Sequence, residues 1–87
     1  MRFDRLLWDD WNVEHIARHE VTPEEVEQVC RFKPKIRRGR CGRYLVLGRT
    51  AEGRYLLVVL SPKDGGKMKP ITARDMDDKE RRLYQRK

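Results

Sequence analysis

The chain has no run of about 18 apolar residues, so no segment reads as a membrane-spanning helix. Its start, Met1-Arg2-Phe3-Asp4-Arg5, lacks the apolar stretch and small-residue cleavage site of a signal peptide, and the expectation is a cytoplasmic protein with no membrane partner. Cysteine is scarce. Cys30 and Cys41 sit in unlike contexts, and neither belongs to a CxxC pair, so reduced thiols are expected and structural zinc is not. No GxGxxG, GxxxxGK[ST] or GxSxG occurs, which removes the usual sequence support for nucleotide-dependent chemistry and for a hydrolase nucleophile elbow. No repeat, low-complexity tract or linker divides the 87 residues, which read as one domain, 1–87.

Acidic residues are missing from one stretch in particular. Arg31, Lys33, Lys35, Arg37, Arg38, Arg40 and Arg43 follow one another without a carboxylate among them, and the whole chain carries a net charge of +7. Cations placed against phosphates release condensed counterions and give sequence-independent, salt-sensitive affinity for RNA or DNA. A solvated loop that only maintains solubility is the alternative for such a run.

Apolar periodicity supplies the fold. Phe3 to Leu7 reads as a short strand or extended arm, and a helix follows from about Asp10, capped by Asp10 or Asn12, with Val13, Ile16 and Ala17 on one face, stopping near Glu20. A second helix has Thr22 as cap, Pro23 at its first position, Glu25 closing a capping box, and a Val21–Val26 staple. Val26, Val29 and Cys30 form its buried stripe, and it ends near Phe32 because Lys33 precedes Pro34. Arg43 to Arg49 alternates as a strand, Thr50 to Gly53 turns, and Arg54 to Leu60 is a continuous apolar strand covered on both faces. After the Asp64-Gly65-Gly66 turn, Lys67 to Arg74 returns as a strand in which Pro70 requires an edge position or a bulge. Asp77 to Arg86 closes the chain as a helix capped by Asp77. The expected class is α+β: two N-terminal helices, an antiparallel sheet of three to four or more strands, and one C-terminal helix.

His15 and His19 are four apart and share a helix face, but no third ligand accompanies them, so neither a metal site nor any cofactor is expected. Arg49, Arg54, Lys69, Arg74, Glu80, Arg81 and Tyr84 project from the hairpin, the returning strand and the last helix, a set suited to phosphate chemistry. Metal-free RNA cleavage needs a group to take the 2′-hydroxyl proton, another to protonate the leaving oxygen, and cations for the pentacoordinate charge. Arginine and lysine supply the cations; Tyr84, His19 or Glu80 are the candidates for the proton steps.

The order of motifs carries a resemblance. His19-x-Val21-Thr22-x-Glu24-Glu25-Val26, Gly48-Arg49-Thr50-x-x-Gly53-Arg54 before Leu57-Val58-Val59, Ile71-Thr72-Ala73-Arg74, and Glu80-Arg81-Arg82-x-Tyr84 together resemble the BrnT toxin family over nearly the whole chain. The resemblance implies a RelE-like fold, metal-independent RNA cleavage that arrests translation, and neutralisation by a DNA-binding, BrnA-type antitoxin. It also implies catalytic roles for His19, Arg49, Lys69, Arg74, Glu80 and Tyr84; the charge pattern adds Arg37, Arg38, Arg40, Arg43, Arg54 and Arg81 as the residues expected to hold RNA. The chain departs from the family pattern at Trp11, His15, Glu20 and Lys69, where lysine, asparagine, glycine and arginine are usual. Two other readings of the residues stand beside this one: a non-catalytic RNA- or DNA-binding module that uses the basic 31–43 stretch, and a protein-interaction domain whose basic surface meets an acidic partner.

Overall fold

A computed structural model of the chain describes residues 5–86. Phe3, at the start of the first extended stretch, and Lys87 lie outside the described residues. Two helices, α1 (Asp10–Ala17) and α2 (Pro23–Arg31), precede strands β1 (Lys35–Arg38), β2 (Tyr44–Arg49), β3 (Tyr55–Pro62) and β4 (Met68–Asp75), and α3 (Asp78–Gln85) follows them. The strands form one antiparallel meander in the order β1-β2-β3-β4. The fold is α+β, as the element pattern predicts.

Local chemistry sets each helix. Thr22 caps α2 with the reciprocal Glu25 box, Pro23 stands in the first turn, and the helix ends at Phe32. Lys33 then takes φ +44°, outside right-handed helical geometry. Asp77 and Glu80 form the same box at the start of α3. The cap of α1 is Asp9 rather than Asp10 or Asn12. Asn12 instead sits in the first turn, fully buried, where its side chain closes the capping box and binds outward to other segments. Ile16 is buried beside it and Ala17 is exposed, so the inward face of α1 is rotated from the expected one.

Strand β1 lies inside the basic run, so Lys35–Arg38 form a sheet edge, while Arg40 and Arg43 sit in the turn that follows. Ile36 faces Val46 and packs against the core, while Arg37 and Arg38 are exposed. A bulge in the β3–β4 ladder follows Val59, where Thr72 and Pro70 oppose successive residues and Ile71 is the extra one. Pro70 lacks a donor, so the disturbance falls where the ladder has least to lose.

Alternation along β2 and β3 gives the sheet two apolar faces. On one, Val46, Leu56, Val58, Leu60 and Ala73 pack with Ile16, Val21, Val26, Val29 and Cys30 of the α1–α2 layer. On the other, Leu47, Leu57 and Met76 pack with Leu45, Tyr55, Leu83 and Tyr84, which holds α3 there. Gly48 is required at its place for space: a Cβ would lie 2.8 Å from Val29 Cγ1 and 3.0 Å from the Val29 carbonyl oxygen. Lys35 fastens the far end of α3 by donating to the carbonyls of Leu83, at 2.7 Å, and Arg86, a cation at the negative end of the helix.

Candidate active site

Positions opposite one another in an antiparallel ladder share a face. Arg49 is opposite Tyr55, and Leu57 is opposite Arg74, so Arg49, Tyr55 and Arg74 step across β2, β3 and β4 on the face that α3 covers. Strand spacing of about 4.8 Å and a rise of about 3.3 Å per residue put the Cα atoms of Arg49 and Arg74 about 12 Å apart, within reach of one phosphodiester for two long side chains.

Tyr55 occupies the middle of this group, and sequence reasoning had not singled it out. Arg49 stands opposite it across the strand pair, Gln85 Nε2 donates to Oη at 3.5 Å, and the Arg81 guanidinium lies over its ring at 4.5 Å from the centroid. Tyr84 meets the ring edge-on at 5.9 Å. The Gln85 hydrogen bond and the neighbouring positive charge of Arg49 and Arg81 favour the phenolate and lower the Tyr55 pKa from its ordinary value. The only sequence signal was its position at the start of an apolar strand directly across the turn from Arg49.

Arg74 and Glu80 grip one another fork to fork, with Nη1 to Oε1 and Nη2 to Oε2 both at 2.8 Å. Glu80 Oε1 also accepts from the Asp77 amide at 2.9 Å, so the carboxylate ties the start of α3 to β4. Its pKa is lowered, chiefly by Arg74. A carboxylate so satisfied is a clamp that aims Arg74 and is poorly suited to carrying a proton. Arg54 is likewise engaged in structure. Its guanidinium binds Asp75 (Nε to Oδ1, 2.8 Å), Glu25, and the carbonyls of Glu20 and His19, joining β3 to the end of β4 and to the α1–α2 connection.

The remaining expected residues lie elsewhere. Lys69 is five residues before Arg74, roughly 15 Å along the strand at 3.3 Å per residue. Its ammonium turns toward α1, 2.9 Å from Asp9 Oδ2. His19 lies in the turn after α1, exposed, close enough to Asp75 to help hold that carboxyl's pKa down. Arg37, Arg38, Arg40 and Arg43 are exposed on β1 and the turn after it, at the opposite edge of the sheet from β4. Arg49, Tyr55, Arg74, Glu80, Arg81 and Tyr84 are thus brought together, and Lys69 and His19 form a second group along α1.

A cleft of about 850 Å³ between α2 and the β2–β3 turn shares only Arg49 with this centre. Glu24, Glu27 and Glu52 outnumber Arg31 and Arg49 in its lining, a charge balance that disfavours phosphates. Among the described residues no group of three or more His, Cys, Asp or Glu side chains is placed to hold a metal ion, and no helix is long and apolar enough to cross a membrane.

No curated protein and no solved structure matches the chain significantly. A family model described as the ribonuclease toxin BrnT of type II toxin–antitoxin systems matches residues 8–80. That span takes in α1, α2, all four strands and the arginine–tyrosine centre through Glu80, and on it this chain belongs to the BrnT family of ribonuclease toxins.

Proposed function

We propose that the protein cleaves RNA without a metal ion, using the surface around Tyr55, and so arrests translation in the cytoplasm until a BrnA-type antitoxin covers it. Family membership implies the RNA target and the antitoxin partner. The observation that carries the reaction is the Tyr55 side chain, opposite Arg49 in the ladder and under the Arg81 guanidinium, with its pKa lowered. Tyr55 acts as the phenolate, taking the proton of a ribose 2′-hydroxyl to become the phenol as the 2′-oxygen attacks the adjacent phosphorus. The new 2′-O–P bond forms as the P–O5′ bond breaks, leaving a 2′,3′-cyclic phosphate, and the Tyr84 hydroxyl gives a proton to the departing 5′-oxygen. Arg49, Arg81 and the outer edge of Arg74 face the charge that develops on the phosphoryl oxygens. The exposed arginines of β1 and its turn hold flanking phosphates without reading sequence.

Induction of the gene in a bacterium should stop growth, and co-expression of the antitoxin should restore it. Arg49→Ala and Tyr55→Phe should each abolish the arrest while leaving a folded protein. Normal arrest by both variants would refute the assignment.

A further inference from the structure

The reaction centre leaves a row of rings on α1 without a role. Trp11, His15 and His19 recur every four residues, which sets them on one side of the helix and its following turn. The Trp11 and His15 rings stack at 5.1 Å with 14° between their planes, and His15 meets His19 edge-on at 6.1 Å. The fold does not need the outermost ring. Trp11 is 55% exposed and belongs to neither core, whereas Trp8, three residues earlier, packs against the larger core and donates its indole N–H to Glu27 at 3.0 Å.

Position connects the row to the chemistry. Asn12 holds α1 beside β4 through the Pro70 carbonyl, and Lys69 reaches across from β4 to place its ammonium 5.9 Å from the Trp11 centroid. The His19 carbonyl shares the Arg54 guanidinium with Asp75, which points to the face of β4 opposite Arg74, so an RNA strand running from the reaction centre to the rings passes around the β4 edge. Exposed Glu14 stands beside the rings, a carboxylate of the kind that the cores of protein interfaces are depleted in. Flat rings with an ammonium alongside are what unpaired nucleobases stack on, because every base has a π-face and its phosphate needs a cation. Base-paired RNA keeps those faces covered.

We infer that the Trp11–His15–His19 row is a stacking platform for unpaired bases flanking the scissile bond, with Lys69 exchanging Asp9 for a backbone phosphate. The inference takes its ligand from the ribonuclease reading, so its test measures binding apart from cleavage. A fluorescently labelled single-stranded 2′-O-methyl RNA, which has no attacking hydroxyl, is titrated by anisotropy against wild type, Trp11→Ala and Trp11→Phe. Trp11→Ala should bind about 5- to 100-fold more weakly, and Trp11→Phe should recover most of that loss. Duplex RNA should bind all three within about twofold. Equal single-strand affinity of wild type and Trp11→Ala would overturn the inference, as would a loss confined to antitoxin binding. A wild type that binds single strands through Trp11 but leaves cleavable RNA intact would uphold the platform and refute the ribonuclease reading instead.

Discussion

Asn12 offers the sharpest test of how α1 is held to the sheet. It is fully buried, its Nδ2 donates to the carbonyls of Leu7 at 2.8 Å and Pro70 at 3.1 Å, and its Oδ1 accepts from the Asp9 amide at 2.9 Å. Asn12→Ala removes all three bonds and leaves a small void. The Pro70 carbonyl is the only one of the three partners in a fully buried bond, so it bears the full desolvation cost, about 1–3 kcal/mol, while the other two can recover water. A total of about 2–4 kcal/mol follows, a large share of the 5–15 kcal/mol that holds such a domain. At about 4–8 °C per kcal/mol for a domain of this size, the melting temperature should fall by roughly 10–25 °C. Asn12→Asp should be worse than Asn12→Ala, since a buried carboxylate would face two carbonyl oxygens where two donors are needed. Thermal unfolding followed by circular dichroism measures both. A Tm for Asn12→Ala within about 3 °C of wild type, or an Asp variant more stable than the Ala variant, would refute the role assigned to this side chain.

Further outcomes follow from other residues. The Glu80 pKa is depressed in the folded state, so its contribution is present above the ordinary value of 4.5 and is lost as pH falls through the lower folded value; Asp75 acts in the same direction below 3.8. Acid titration of stability should therefore drop below about pH 4.5, and Glu80→Gln should be less stable at pH 7 with a shallower acid decline; an unchanged profile would show the Arg74 fork to be inert. Gly48→Ala should lose about 1–3 kcal/mol in chemical denaturation, because its Cβ meets the Val29 backbone carbonyl, which moves only with α2. Ellman's reagent should react quickly with one thiol of the native protein, the exposed Cys41, while burial pushes Cys30 up to about 12 and keeps it unreactive until unfolding. Two fast thiols would contradict that burial.

Elements whose ends are written in capping chemistry were legible in the sequence. Thr22, Pro23 and Glu25 define α2, Asp77 and Glu80 define α3, and the central hairpin follows from alternation in Tyr44–Leu47 and the apolar run after Arg54. Strand β1 was hidden because Ile36 is the single apolar side chain among cations, and its pairing with Val46 is a tertiary fact. Asn12 resembled a cap because asparagine favours that place; its long-range bond to Pro70 left no local mark. At the site, residue type was readable and direction was not. Arg49, Arg74, Glu80, Arg81 and Tyr84 converge because register and α3 place them on one face, whereas the bulged start of β4 and the pull of Asp9 take Lys69 to the other group. Tyr55 was overlooked because a tyrosine opening an apolar strand looks like packing until Arg49, Arg81 and Gln85 are seen around its hydroxyl and ring.

The central claim, that an arginine-flanked tyrosine cuts RNA without a metal, is tested most directly by incubating purified protein with RNA in excess EDTA and analysing the fragment ends. Wild type should give fragments ending in 2′,3′-cyclic phosphate, and Tyr55→Phe should be slower by about 10²–10⁴-fold. RNA left intact by wild type in EDTA, or a Tyr55→Phe variant that cuts at the wild-type rate, would contradict it.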